Sequence, residues 1–149
     1  AGVKASNPDA RVNVNYIGSF SDVALASEAA STHISAGADV LSGSAQMVVG
    51  AIGKAKDNGV LWFGTQASQT SLAPSIVVAN QVYRWEVVLE EMISLIEDGT
   101  YGGQSFEITL ENGGLEIEFN ADFDLPDDVR AAADAAIDGI IDGSITVFP

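Results

Sequence analysis

The sequence predicts an α/β fold in which a parallel sheet carries helices on both faces, followed by a hairpin and a last helix. Short apolar segments and longer amphipathic ones follow each other in the order β-α-β-α-β-β-α. This order is typical of parallel strands that are joined through helices. Two of the strands, at residues 60–64 and 76–79, are apolar at nearly every position, as strands buried on both faces are. With 149 residues, 47% of them hydrophobic, the chain can bury one core.

The first elements are predicted from alternation and from helix start and stop signals. Residues 11–17 alternate apolar and polar side chains and predict a strand. Ser21 or Asp22 can cap a helix over residues 23–35, which Gly37 ends. Residues 39–42 predict a short strand, and Ser44 is predicted to start a helix that Gly59 ends.

The later elements include the clearest helix of the chain. After the strands at 60–64 and 76–79, residues 85–98 place their apolar side chains on one face. That face is formed by Trp85, Val88, Leu89, Met92 and Ile96. Residues 105–120 then read as a hairpin around a Glu-Asn-Gly-Gly turn. Pro126 and the acids behind it mark the start of a last helix, which ends at Gly143.

Composition and charge exclude several classes of function. The formal net charge is −15 with only six basic residues, which argues against binding nucleic acid or an anionic membrane surface. The absence of cysteine excludes disulfides, zinc–thiolate sites and cysteine nucleophiles. The sequence contains no run of about 18 apolar residues and therefore predicts no membrane span.

The acidic composition also carries a testable expectation about salt. Mutual repulsion among carboxylates destabilises the compact state, and dissolved ions screen that repulsion. Our hypothesis is that this surface is adapted to a saline environment. We therefore expect the melting temperature to rise steeply from about 0.1 M to about 2 M KCl. A melting temperature that stays flat over this range contradicts the hypothesis.

Candidate ligand-binding residues lie where the predicted strands end. In open α/β sheets, ligands bind at the carboxyl ends of the strands. All of these ends are neutral here, although the chain is strongly acidic, and they carry hydroxyl, amide or small side chains. Such a rim suits a neutral polar ligand, such as a sugar, nucleoside or base. The candidates are Ser19, Phe20, Ser42, Gly43, Ser44, Gln66, Ser68, Asn80 and Tyr83.

The sequence gives little support to catalysis, a metal or a cofactor. The only histidine, His33, falls in a predicted helix, far in sequence from every strand end. Without a second histidine or a cysteine, the usual nucleophile–base pairs are absent. The glycine patterns that bind phosphates are missing, and the acidic residues 121–128 lack the spacing of a calcium loop. We therefore expect no catalytic residue, no metal and no cofactor.

Six segments together carry a resemblance: NPDARVNVNYIGSFSD (7–22), GADVLSGSA (37–45), GVLWFGTQASQTSLAP (59–74), VYRW (82–85), NGG (112–114) and DGSITV (142–147). In this order they resemble the basic membrane protein family, the substrate-binding lipoproteins of ABC importers that are related to purine-nucleoside-binding proteins. The resemblance implies a two-lobed type I periplasmic-binding fold, of the Rossmann or flavodoxin kind. Residues 1–105 would be the second lobe, incomplete at its N-terminus, and residues 106–149 the segment that packs on the missing first lobe. It further implies an ABC permease as partner and an extracytoplasmic, lipid-anchored or periplasmic location.

The resemblance also bears on the ligand. The family's G-x-D-x-D-Q loop falls on residues 64–69, with Gln66 and Ser68 in place of its two aspartates. The first aspartate accepts hydrogen bonds from ribose hydroxyls in nucleoside binders, and a family lysine falls at about Tyr83. These replacements bring the chain nearer to family members with an aromatic pair at this place, as in VYRW (82–85), some of which look like binders of purine bases. The alternatives are a ligand-sensing domain of a receptor with the same fold, or a small flavodoxin-like enzyme.

Overall fold

The sheet has four strands, and three of them are parallel. A computed structural model of the chain describes residues 1–147. Strand β1 (Val40–Ser42) pairs with β2 (Leu61–Gln66), and β2 pairs with β3 (Val77–Tyr83), both in parallel. Strand β4 (Leu115–Phe119) pairs antiparallel with the other edge of β3. The predicted α/β class and the parallel sheet are confirmed.

Five α-helices and one short 3₁₀ helix accompany this sheet in the described residues. They are α1 (Gly2–Ser6), α2 (Val23–Ser35), α3 (Val48–Asn58), α4 (Glu86–Glu97), α5 (Asp127–Ile141) and the 3₁₀ turn Thr70–Leu72. Within residues 1–147, every helix is too short or too polar to cross a lipid bilayer.

The core lies between α3 and the sheet. Trp62 is 1% exposed and packs with Ile52 and Ala55 of α3 and with Val77 of β3, which confirms the predicted burial of this tryptophan. Helix α2 lies directly against α3. Their backbones come so close that a β-carbon on Gly50 would stand 2.2 Å from the carbonyl oxygen of Val23.

Local start and stop signals predicted several helix ends correctly. The carboxylate of Asp22 accepts a hydrogen bond from the Leu25 amide at 3.0 Å and caps α2. Gly37 and Gly59 have φ angles of 90° and 65°, which a residue with a β-carbon adopts only with strain. Helix α5 follows Pro126 and has Asp127 and Asp128 in its first turn, as predicted.

The strand predicted at residues 11–17 is wrong. Its alternating side chains Val12, Val14 and Tyr16 are all exposed, and the segment pairs with no strand of residues 1–147. Alternation alone does not make a strand, because ladder hydrogen bonds need a neighbouring strand. Here the segment has the pattern but lacks that neighbour.

Two predicted boundaries also move. Helix α3 begins at Val48 rather than Ser44, because Ala45 has a φ of 71° and residues 46–47 form a turn. Strand β3 continues past Ala79 to Tyr83, since it gains β4 as a second partner.

The predicted hairpin is only half correct. Residues 115–119 form β4, but residues 105–110 form no strand in the described part of the chain. Strand β4 pairs instead with β3, where Leu115 stands opposite Tyr83 and Phe119 opposite Ala79. Asn112 closes the turn before β4 through two hydrogen bonds with Thr109. The boundary at residues 105/106 stays a prediction, and residues 148–149 of its second part lie outside the described range.

The apolar face of α4 is mostly uncovered, contrary to the prediction of a buried stripe. Only Val88 is buried, whereas Trp85, Leu89 and Ile96 are more than half exposed. Phe63 of β2 is exposed as well. No described element covers these side chains, and this part of the apolar surface remains available to a partner.

Candidate ligand-binding cleft

A cleft of about 370 Å³ opens at the carboxyl ends of β1 and β2, next to the start of α3. This is the position at which ligands bind in open α/β sheets. The lining side chains are uncharged, and apolar groups alternate with amides and a hydroxyl. They belong to Phe20, Ala45, Gln46, Val48, Val49, Thr65, Gln66, Ala67, Gln69 and Leu72. The side chains that line the cleft are uncharged, and ligand contact by them stays a prediction.

Two hydrogen bonds join the loop after β1 to the end of β2. The Gln66 side-chain oxygen Oε1 accepts from the backbone amide of Ala45 at 3.0 Å, and Thr65 Oγ1 donates to the carbonyl oxygen of Gly43 at 2.6 Å. Both Ala45 and Gln66 have left-handed backbone, with φ angles of 71° and 74°. Such backbone is costly for residues with a β-carbon and persists only where surrounding contacts fix it.

A network of buried polar groups holds the loop after β2 from below. Gln69 Oε1 accepts from Trp62 Nε1 at 2.7 Å, and Gln69 Nε2 donates to the carbonyl oxygen of Thr65 at 3.0 Å. The backbone amide of Gln69 donates to Asn80 Oδ1 at 2.9 Å, while Asn80 Nδ2 donates to Thr70 Oγ1 at 2.9 Å. Because Asn80 is only 1% exposed, its bonds with Gln69 and Thr70 replace bonds that water can no longer make.

Gly64 lets this network form. A β-carbon at position 64 would stand 2.1 Å from Asn80 Oδ1, well inside van der Waals contact. A glycine is therefore needed for the asparagine amide to approach the strand. The sequence analysis did not single out Gly64 for this reason, since the contact joins two neighbouring strands.

A carboxylate from β4 reaches the same loop. Ser68 Oγ donates to Glu118 Oε1, and Asn80 Nδ2 lies 3.4 Å from the same oxygen. Sequence reasoning missed Glu118, because its prediction placed β4 in a separate hairpin. The pairing of β4 with β3 brings Glu118 opposite Asn80 and so beside the loop.

The predicted site residues fall into two groups. Phe20, which is 79% exposed, and Gln66 line the cleft, and Gly43 borders it through the bond to Thr65. Ser42 and Ser44 are exposed on either side of Gly43. These residues stay the strongest candidates for ligand contact.

The other predicted residues lie outside the lining. Ser19 Oγ accepts from the amide of Asp22 at 3.0 Å and shapes the turn before α2. Ser68 donates a hydrogen bond to Glu118, and Asn80 is buried beneath the loop after β2. The Tyr83 ring packs edge-on against Trp85 with 5.6 Å between ring centroids, away from the cleft. Nothing tests the prediction of ligand contact for these residues, which stay candidates only.

Charged groups near the sheet are paired outside the cleft. Arg84 Nε donates to Glu116 Oε2 at 2.6 Å, and this hydrogen bond raises the pKa of the Arg84 guanidinium.

His33 lies half-buried in α2, in the helix predicted for it. Over the described range, no three His, Cys, Asp or Glu side chains stand close enough together to hold a metal ion.

Comparison with known proteins assigns this chain to a family. A family model described as "ABC transporter substrate-binding protein PnrA-like", Bmp, matches residues 1–142. The chain belongs to the Bmp family. The resemblance drawn from the segments between residues 7 and 147 is thereby confirmed.

The related proteins named for their ligands are considerably longer. A purine-binding protein of Brucella abortus is 27% identical over 99% of this chain and 41% of its own length. The ABC transporter nucleoside-binding protein BmpA of Lactococcus lactis is 29% identical over 99% of this chain and 46% of its own length. The Bmp chain described here thus spans less than half the length of these relatives.

A solved structure supports the same assignment. An ABC transporter solute-binding protein of Conexibacter woesei superposes with a TM-score of 0.77 at 25% identity. The match covers 99% of this chain and 49% of that protein. The fold is therefore that of a periplasmic-binding-protein lobe, as predicted.

Proposed function

We propose that this chain is the ligand-binding second lobe of an extracytoplasmic solute-binding protein that delivers a purine base or nucleoside to an ABC importer. The observation that carries the proposal is the uncharged cleft at the strand ends of a Bmp-family lobe. Its volume of about 370 Å³ falls within the usual range for small-molecule sites. The names of the two relatives, a purine-binding and a nucleoside-binding protein, suggest the class of ligand.

The chemistry of the cleft suits a flat, neutral, heterocyclic ligand. Phe20 offers an exposed aromatic face on which a base can stack, and Val49 and Leu72 add apolar surface. Gln46 and Gln66 supply amides for hydrogen bonds at the edge of a base. Without a cation in the lining, a phosphate group would be bound poorly, and the net charge of −15 would repel it further.

The remaining partners in this proposal are a first lobe and a membrane permease. The chain covers 41–49% of the length of its longer relatives, which suits one lobe of two. The exposed apolar residues of α4 provide a surface against which other parts of a two-lobe protein can pack. In the full protein, the lobes would close around the ligand, with no chemical step, and an anchor or leader would hold it outside the cytoplasm.

Calorimetric titration of the two-lobe protein tests this proposal. We expect heat of binding with purine bases or nucleosides and none with hexoses. Gln66→Ala should weaken the affinity by about tenfold, the usual effect of losing one hydrogen bond. Asn58→Ala, an exposed amide at the end of α3 and outside the cleft lining, is the matched control.

Three results bear on the outcome. Failure of adenine, guanine, hypoxanthine and their nucleosides to bind would refute the purine assignment. Unchanged affinity in Gln66→Ala would remove the loop after β2 from the site. The isolated 149-residue chain should bind much more weakly than the two-lobe protein, because it supplies one wall of the pocket only.

A further inference from the structure

Glu118 of β4 reaches the loop after β2, which comprises residues 67–72. Ser68 Oγ donates a hydrogen bond to Glu118 Oε1, and Asn80 Nδ2 lies 3.4 Å from the same oxygen. Glu118 stands opposite Asn80 where β3 pairs with β4. It is half-buried and forms no salt bridge within residues 1–147, since the neighbouring Arg84 pairs with Glu116. Its carboxylate is therefore directed to the loop.

Three successive residues of this loop are held from the sheet. Asn80 holds two of them, because its Oδ1 accepts from the Gln69 amide and its Nδ2 donates to Thr70 Oγ1, both at 2.9 Å. Glu118 holds the third, Ser68, through a bond to a charged acceptor, and such bonds are stronger than neutral ones. Ser68 is exposed, so water competes for its hydroxyl. Glu118 is thus the group that fastens the exposed part of the loop.

The fastened residue lies between two residues that line the cleft. Ala67 and Gln69 belong to the lining, whereas Ser68 and Glu118 do not. Residues 66–68 are all exposed, so little packing restrains them. Without the bond to Glu118, a ligand would have to order this stretch as it binds, and such ordering lowers affinity.

We propose that Glu118 is a positioning residue of the ligand site, which orders the loop after β2 and so raises the affinity for a ligand that it does not touch. The carboxylate acts through Ser68 on the two neighbours that line the cleft. The effect on affinity rests on the proposed ligand-binding function. The ordering of the loop does not, and it is measured without a ligand.

Hydrogen exchange of the ligand-free two-lobe protein, in peptides that cover residues 66–72, tests the ordering of the loop. We expect the Gln69 amide to exchange about tenfold faster in Glu118→Ala, because its bond to Asn80 opens more often once Ser68 is free. Glu118→Gln keeps an acceptor for Ser68 and should have a smaller effect. Glu111→Ala removes an exposed carboxylate from the turn before β4 and is the matched control.

Calorimetry on the same variants tests the effect on binding. The probe is the tightest binder among adenine, guanine, hypoxanthine and their nucleosides. Glu118→Ala should weaken its affinity about tenfold, Glu118→Gln should recover part of that loss, and Glu111→Ala should leave the affinity unchanged. Ser68→Ala should weaken the affinity by a similar factor. The double variant Ser68→Ala/Glu118→Ala should lose no more than either single variant, because both changes remove the same bond.

The possible outcomes separate the inference from the proposed function. Unchanged exchange of the loop in Glu118→Ala overturns the inference, whether or not a purine binds. Faster exchange with unchanged affinity also overturns it, as does an equal loss of affinity in Glu118→Gln and Glu118→Ala. If no purine binds while Glu118→Ala alone exchanges faster, the proposed function fails and the ordering of the loop by Glu118 stands. Faster exchange together with weaker binding that Glu118→Gln partly restores supports the inference.

Discussion

Replacing Gly50 with alanine is expected to destabilise the protein by about 3 kcal/mol, the upper range for overpacking a close contact. The new β-carbon would stand 2.2 Å from the carbonyl oxygen of Val23 and 2.9 Å from Val23 Cγ1. The nearest obstacle is backbone at the first residue of α2, so it cannot turn away as a flexible side chain would. Helices α2 and α3 must then move apart, which opens the packing around Ala26 and Ala30.

Gly53, one turn further along α3, provides the matched control. A β-carbon there meets nothing within 4 Å, and the position is exposed. Alanine should therefore stabilise α3 by up to about 1 kcal/mol, because glycine is the poorer helix former. Urea denaturation of both variants measures the difference. A loss of less than about 1 kcal/mol for Gly50→Ala would contradict the close contact of α2 with α3.

Asn80→Asp should cost about 3–5 kcal/mol at neutral pH, as expected for an uncompensated buried charge. The change removes the Nδ2 donor to Thr70 Oγ1 and places a carboxylate next to Glu118 Oε1, which lies 3.4 Å from Nδ2. At 1% exposure, water cannot solvate that charge. The Gln69 amide keeps an acceptor, so the main cost is electrostatic.

The loss of folding stability caused by Asn80→Asp should grow as pH rises. Burial and the neighbouring Glu118 favour the neutral acid, so the pKa of the new carboxyl is higher in the folded state than in the unfolded state. Its penalty is small below about pH 4, near the unfolded value, and grows as pH rises through the folded pKa. Thermal denaturation from about pH 4 to 8 tests this, with the exposed Asn13→Asp as control. A deficit independent of pH would contradict it.

Local signals in the sequence predicted those parts of the fold that depend on neighbouring residues. The cap at Asp22 and the left-handed glycine at Gly59 need only the residues beside them, and both are confirmed. The segment at residues 11–17 has an equally clear local pattern, yet it forms no strand, because a strand also depends on a partner elsewhere. The predicted hairpin does not form for the same reason, because β4 pairs with β3 instead of with residues 105–110.

The candidate site shows the same division. The strand-end rule and the neutral side chains pointed to Phe20 and Gln66, which line the cleft. The contacts that hold Gln66 and the loop after β2 span 21 positions, from Ala45 to Gln66, and 50 positions, from Ser68 to Glu118. No periodicity or local motif in a sequence indicates contacts between residues so far apart along the chain. The positive φ angles of Ala45 and Gln66 are also unexpected for their residue types.

A crystal structure of the two-lobe protein with a bound purine tests the central claim most directly. The claim is that the cleft after β1 and β2 is the ligand site and that Gln66 reads the edge of the base. It predicts a purine beside Phe20, with the Gln66 amide within hydrogen-bonding distance of the edge of the base. A purine bound against Tyr83 and Trp85, or one that leaves Gln66 bonded only to Ala45, would contradict it.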